Sequence, residues 1–102
     1  MVHRGENVML VYTATYTYGE DGYLAEVLDF PGTVSFGKTL NKARRNLASA
    51  LYDMAETNLL RGEALPLPDP SRHDENADIE EPIYLMLRTG NFLHQRVACP
   101  KA

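Results

Sequence analysis

A Pro-Gly turn between two short β-prone runs, within Gly22 to Leu40 (GYLAEVLDFPGTVSFGKTL), constrains this chain more than any other stretch. Tyr23 to Leu28 reads as one strand, and Thr33 to Phe36, β-branched and aromatic, as the next. Asp29-Phe30-Pro31-Gly32 reads as the turn between them, because proline presets φ and glycine accepts positive φ. Asp29 is expected to fix that turn by accepting from nearby backbone N–H groups. Gly37-Lys38 breaks the second run, and Thr39 is placed to cap a helix.

Two strands need a neighbour and a cover, and the flanking sequence offers both. Upstream, Val8 to Tyr18 is the longest β-prone run. Its alternation puts Val8, Leu10, Tyr12, Ala14, Tyr16 and Tyr18 on one face, read as core, and Met9, Val11, Thr13, Thr15 and Thr17 on the other. The short Gly19-Glu20-Asp21-Gly22 turn makes an antiparallel hairpin with the Tyr23–Leu28 strand. That strand offers Tyr23, Ala25 and Val27 to one face and Leu24, Glu26 and Leu28 to the other, a mixed and partly exposed face.

Downstream, Leu40 to Arg61 reads as a helix, with Leu40, Ala43, Leu47, Ala50, Leu51, Met54 and Ala55 in one apolar stripe. Ala48, Tyr52 and Leu59 widen the stripe along one flank, which another subunit or the following loop could cover. Gly62 ends the helix. Ala64 to Asp78, with Pro66, Pro68 and Pro70, reads as an arm without regular structure. Ile83 to Arg88 reads as a strand and Thr89-Gly90-Asn91 as a turn. Phe92 to Ala98 then pairs back as a hairpin, or the whole segment is one bent strand on a sheet edge, in this subunit or a neighbour. The fold class is α+β: an antiparallel sheet of three to four strands covered by one long helix, in the order β-β-β-α-β. The division of the chain is a core with its proline-rich exit at 1–70, and a linker with a terminal strand or hairpin at 71–102.

A chain of 102 residues fits a single domain. It contains no apolar run of about 18 residues, so no membrane span is expected. Cys99 is the only cysteine, which excludes an intrachain disulfide and points to a cytoplasmic setting. His3, His73 and His94 are far apart and share no ligand spacing, so neither a metal site nor another cofactor is expected. No phosphate-binding glycine loop opens a helix. Lys42, Arg44 and Arg45 form a small basic cluster, better suited to pairing with nearby acids or to plain solvation than to holding phosphate. The net charge of −4 is accounted for by solubility alone; as a partner signal it suits a basic protein better than nucleic acid.

Gly22-Tyr23, Ala25-Glu26-Val27, Asp29-Phe30-Pro31-Gly32 and Phe36-Gly37-Lys38-Thr39-Leu40 together resemble the core signature of the HicB-like antitoxin domain. The resemblance continues through Ala43, Asn46 and Ala50 to Gly62-Glu63-Ala64-Leu65-Pro66 and covers roughly residues 8 to 70. Leu28 stands where that family often has proline, and Thr33 where it often has cysteine. The resemblance implies a pared-down ribonuclease H fold. It also implies a non-catalytic antitoxin that occludes a small basic, RNA-cleaving toxin of the HicA kind.

Metal-dependent nucleases of that fold class need converging carboxylates, but Val8 to Tyr18 has no acidic residue, and Glu26 and Asp29 point to different faces. An enzyme is therefore not expected. Full-length relatives often append a DNA-binding segment. Ile79 to Ala102 shows β-type runs and no second long amphipathic helix, which speaks against direct DNA binding. The residues expected to meet the partner are Leu24, Glu26 and Leu28 on the second strand and Tyr52, Glu56 and Leu59 on the helix flank. The wide helix stripe and mixed strand faces also imply a homo-oligomer, a dimer or tetramer. Two alternative readings are a nucleic-acid-binding module stacking bases on Tyr12, Tyr16, Tyr18 and Tyr23, and an oligomeric domain with no toxin partner.

Overall fold

The computed structural model describes residues 7–88. Strands β1 (Asn7–Gly19), β2 (Gly22–Val27) and β3 (Val34–Gly37) precede helix α1 (Leu40–Leu60), and β4 (Ile79–Arg88) follows it. The strands form one antiparallel sheet in the order β3-β2-β1-β4. This is the α+β meander-and-helix architecture expected, with β4 making the sheet four-stranded. The expected Phe92–Ala98 strand and its turn lie outside the described residues.

Alternation along the strands decides which side chains meet α1. Tyr12, Ala14 and Tyr16 of β1, Ala25 and Val27 of β2, and Ile83, Leu85 and Leu87 of β4 are buried together with Ala43, Leu47, Leu51 and Ala55 of the helix. Each fully buried leucine contributes roughly 1.5–3 kcal/mol of transfer free energy. Thr39 caps α1 as expected, its side chain accepting from the Lys42 N–H at 3.1 Å. Val8 and Tyr18 share the inward parity but stay 37% and 62% exposed at the strand ends. The buried row of β1 is therefore shorter than alternation alone suggests.

The helix approaches the β2–β3 end closely. A Cβ on Gly37 would fall 2.2 Å from the Ala43 backbone nitrogen, and one on Gly22 would fall 2.6 Å from the Gly37 carbonyl oxygen. Gly22 also has φ +143°, so hydrogen is the only side chain these two positions accept without a shift of backbone.

Two local expectations are corrected. Strand β2 ends at Val27, not Leu28. The chain turns there, the Leu28 N–H donates to the Thr13 carbonyl at 2.9 Å, and Leu28 is buried. Phe30 follows it inward, its ring edge-on to Tyr12 with centroids 5.4 Å apart. Asp29 does not bond its own turn. Its carboxylate accepts from the Thr13 N–H at 2.9 Å and the Asp69 N–H at 2.8 Å. The reason is the early end of β2: Thr13 has no strand partner on that side, and the carboxylate occupies the vacant ladder position.

The arm after α1 has no regular structure, yet it is tied down. The Tyr12 hydroxyl donates to the Pro66 carbonyl at 2.7 Å, and Asp29 holds Asp69. Further on, His73 and Asp74 bond the Glu80 carboxylate, and the Asp78 N–H donates to the Tyr16 carbonyl at 2.9 Å. The arm thus starts on the β2 side of β1 and ends on its β4 side. It must cross the sheet face opposite α1, which explains the burial of Thr15 on that otherwise open face.

Candidate interaction surface

The face away from α1 is built by the opposite parity. It carries Met9, Val11, Thr13, Thr15 and Thr17, then Leu24 and Glu26, Val34 and Phe36, and Pro82, Tyr84 and Met86. The pairing register lines these up in rows: Phe36 beside Leu24 beside Thr17, Val34 beside Glu26 beside Thr15 beside Glu80, Val11 beside Tyr84, and Met9 beside Met86. The crossing arm divides the face in two. On one side lie Leu24, Val34 and Phe36 with Glu26 among them; on the other lie Met9, Val11, Tyr84 and Met86. All seven apolar residues are between 42% and 58% exposed.

Charge is uneven across this face. Glu26 of β2, Glu80 of β4 and the arm acids Asp69, Asp74, Glu75 and Asp78 cluster here, and Arg72 is the only Lys or Arg between Glu63 and Pro82. The hydrogen bond from His73, then that from the Asp74 N–H, holds the Glu80 carboxyl below its ordinary range. Bonds from the Ser71 hydroxyl and N–H do the same for Asp69. Both carboxyls stay ionised at neutral pH. Beside the arm, Val11, Thr13, Pro68, Pro70, Glu80 and Pro82 line an open cleft of about 440 Å³.

The basic cluster of α1 is partly consumed. Arg44 forms a two-pronged pair with Glu81 of β4 at 2.9 and 3.0 Å, a fork that lysine does not offer. Burial, and then nearby Glu81, pushes the Tyr16 phenol up to about 12. Among the described residues no three of His, Cys, Asp and Glu come together as metal ligands.

The residues expected to meet a partner fall on two surfaces. Leu24 and Glu26 are exposed on the outer sheet face, whereas Leu28 is buried below the turn. Tyr52 is exposed on α1, with Glu56 and Leu59 half-buried nearby, in the opposite layer; Leu59 packs against the core. Sequence reasoning did not pick out Val34 and Phe36, although they sit directly beside Glu26 and Leu24. Alternation along Thr33–Phe36, combined with the strand-two register, carries that signal. Of the four tyrosines offered for base stacking, Tyr12 and Tyr16 are buried in the core, and Tyr18 and Tyr23 pack on each other with centroids 5.0 Å apart.

The sequence model of the UPF0150-like family matches residues 11–66. No curated protein matches the chain. Among solved structures, the chain is similar to one described as the HicA3 and HicB3 toxin–antitoxin complex, at 22% identity and a TM-score of 0.54, over 76% of this chain and 94% of that one. It is also similar to the N-terminal domain of Burkholderia pseudomallei antitoxin HicB, at 18% identity and a TM-score of 0.53, over 76% and 95% respectively. The likeness is one of fold: four antiparallel strands and one helix in the same arrangement. No helix among the described residues is long and apolar enough to cross a membrane.

Proposed function

The chain belongs to the UPF0150-like family, and from that premise we propose that it is an antitoxin-type domain of the HicB kind. It binds a small basic, RNA-cleaving toxin of the HicA kind in the cytoplasm and blocks it by occlusion, without chemistry of its own. The observation that carries this reading is the shared fold with a chain of the HicA3 and HicB3 complex, nearly the whole of which is covered. The outer sheet face adds physical support, with an apolar patch of Leu24, Val34 and Phe36 beside Glu26 and the acidic arm. Apolar contact at the centre of such a patch supplies affinity, and the surrounding carboxylates steer a cationic partner and set its orientation. A ribonuclease that binds RNA through a basic surface presents that surface to the acids, so binding covers the groups RNA needs.

The test is a pull-down from the native host followed by reconstitution. The recovered small basic protein, purified, should cleave RNA, and an equimolar amount of this chain should stop it. Leu24→Arg combined with Glu26→Arg should weaken inhibition about tenfold to several hundredfold, as loss of central interface residues does, with an unchanged circular dichroism spectrum. Failure of the wild-type chain to bind or inhibit any such protein would remove the toxin-binding reading. Inhibition by the wild type that the double variant retains would remove only the surface assigned to it.

A further inference from the structure

The sheet has two edges, and the chain treats them differently. Edge strand β3 is four residues long. The outward carbonyl of Phe36 accepts from the Asn46 side chain of α1 at 2.7 Å, so the helix closes that edge. Edge strand β4 runs for ten residues, Ile79–Arg88. Its outward groups follow from the ladder. Thr13 points both its N–H and its C=O toward the β2 side, to Asp29 and Leu28. Its β4 neighbour Pro82 therefore shares no hydrogen bond with it. Pro82, Tyr84 and Met86, being of one parity, all turn their backbone away from β1. Pro82 is tolerated there because the N–H it lacks would have faced outward. Among the described residues nothing bonds the outward N–H and C=O of Tyr84 and Met86.

We propose that a second copy of this chain docks along β4, antiparallel, with the two-fold axis at Leu85. This sets Tyr84 opposite Met86 of the partner subunit, each residue both donating to and accepting from the other. The outward C=O of Pro82 then meets the N–H of the partner subunit's Arg88, and the missing proline donor lies outside the central rings. The side chains fit the same axis. Val11 is beside Tyr84 and Met9 beside Met86 on the outer face. The two-fold joins these pairs into two identical four-residue rows, each running from Val11 through Tyr84 to the partner subunit's Met86 and the partner subunit's Met9. Aromatic–thioether and cross-strand contacts of this type stabilise paired strands. Helix α1 packs mainly against β3 and β2 and only marginally against β4, which leaves the approach clear. The proposal deepens the homo-oligomer expected from the sequence and does not depend on the toxin reading.

The full chain is tested by sedimentation equilibrium and by amide hydrogen exchange over a dilution series. The wild type should show twice the monomer mass. The Tyr84 and Met86 amides should be protected, and that protection should be lost on dilution. The Tyr84→Pro and Met86→Pro double variant removes only outward donors and leaves the β1–β4 bonds in place, as Pro82 already does. It should sediment as a monomer with an unchanged circular dichroism spectrum. Three results overturn the proposal: a dimer that persists in the double variant, a monomer whose Tyr84 and Met86 amides are protected at every dilution, which gives the edge to the chain's own remaining residues, and protection that arises only on adding a basic toxin.

Discussion

Replacing Asp29 by alanine removes the side chain that bridges the proline arm and the β1 backbone. The carboxylate is buried and accepts from two backbone N–H groups, Thr13 at 2.9 Å and Asp69 at 2.8 Å. Thr13 lies inside the sheet, so its stranded N–H costs about 1–3 kcal/mol. Asp69 sits at the edge of the arm and regains water, so its loss adds about 1 kcal/mol, at the low end for such bonds. The sum is about 2–4 kcal/mol against a typical domain stability of roughly 5–15 kcal/mol. At about 4–8 °C per kcal/mol for a domain of this size, the melting midpoint should fall by about 8–32 °C. Asp29→Asn keeps the shape but turns an amide donor toward one of the two N–H groups, and should cost about 1–3 kcal/mol. The assay is urea and thermal unfolding of the three proteins, with hydrogen exchange at Thr13 and Asp69. If Asp29→Ala shifts stability by less than about 0.5 kcal/mol and the Thr13 amide stays protected, the bridging role is refuted.

Thr33 is fully buried, and its hydroxyl has no hydrogen-bond partner among the described residues. Thr33→Val should therefore stabilise the protein by about 1 kcal/mol or more, because the methyl carries no desolvation cost; a lower urea midpoint would show that the hydroxyl is satisfied after all. Tyr16, held neutral to about pH 12 by burial and then by Glu81, ionises later in the folded than in the unfolded chain. Its contribution to stability is complete below the unfolded value of about 10 and is lost as pH rises toward 12. Unfolding midpoints from pH 8 to 11.5 should thus fall more steeply for the wild type than for Tyr16→Phe, and parallel slopes would refute the assignment.

Much of this architecture was legible in the residues. The Gly19–Gly22 turn, the Thr39 cap and the Ala43–Leu47–Leu51–Ala55 stripe each carry a local signal, and each forms as read. Leu28 and Asp29 were misread because their roles are set by where β2 stops relative to β1, a pairing fact that alternation alone does not contain. The proposed surface was half legible. Leu24 and Glu26 are exposed, as their mixed strand face implied, but the grouping with Tyr52, Glu56 and Leu59 ignored the sheet lying between the two sets. The arm looked like a plain linker because its anchors, Asp29, Tyr12 and Glu80, are remote in sequence. The basic cluster left pairing and plain solvation open for Arg44; it pairs, and its mate Glu81 is 37 positions away.

The central position of β1 has a consequence for how the chain is made. Its partner on one side, β2, follows after a two-residue turn, but its partner on the other side, β4, begins only at Ile79. During synthesis the hairpin, β3 and α1 can assemble while the far margin of β1 still waits for its last neighbour, since contacts close in sequence form first. Through that interval the most β-prone run of the protein is half paired and open to sticking to another nascent chain. The acidic arm emerges in the meantime, and its repulsive charge arrives beside that margin before β4 does.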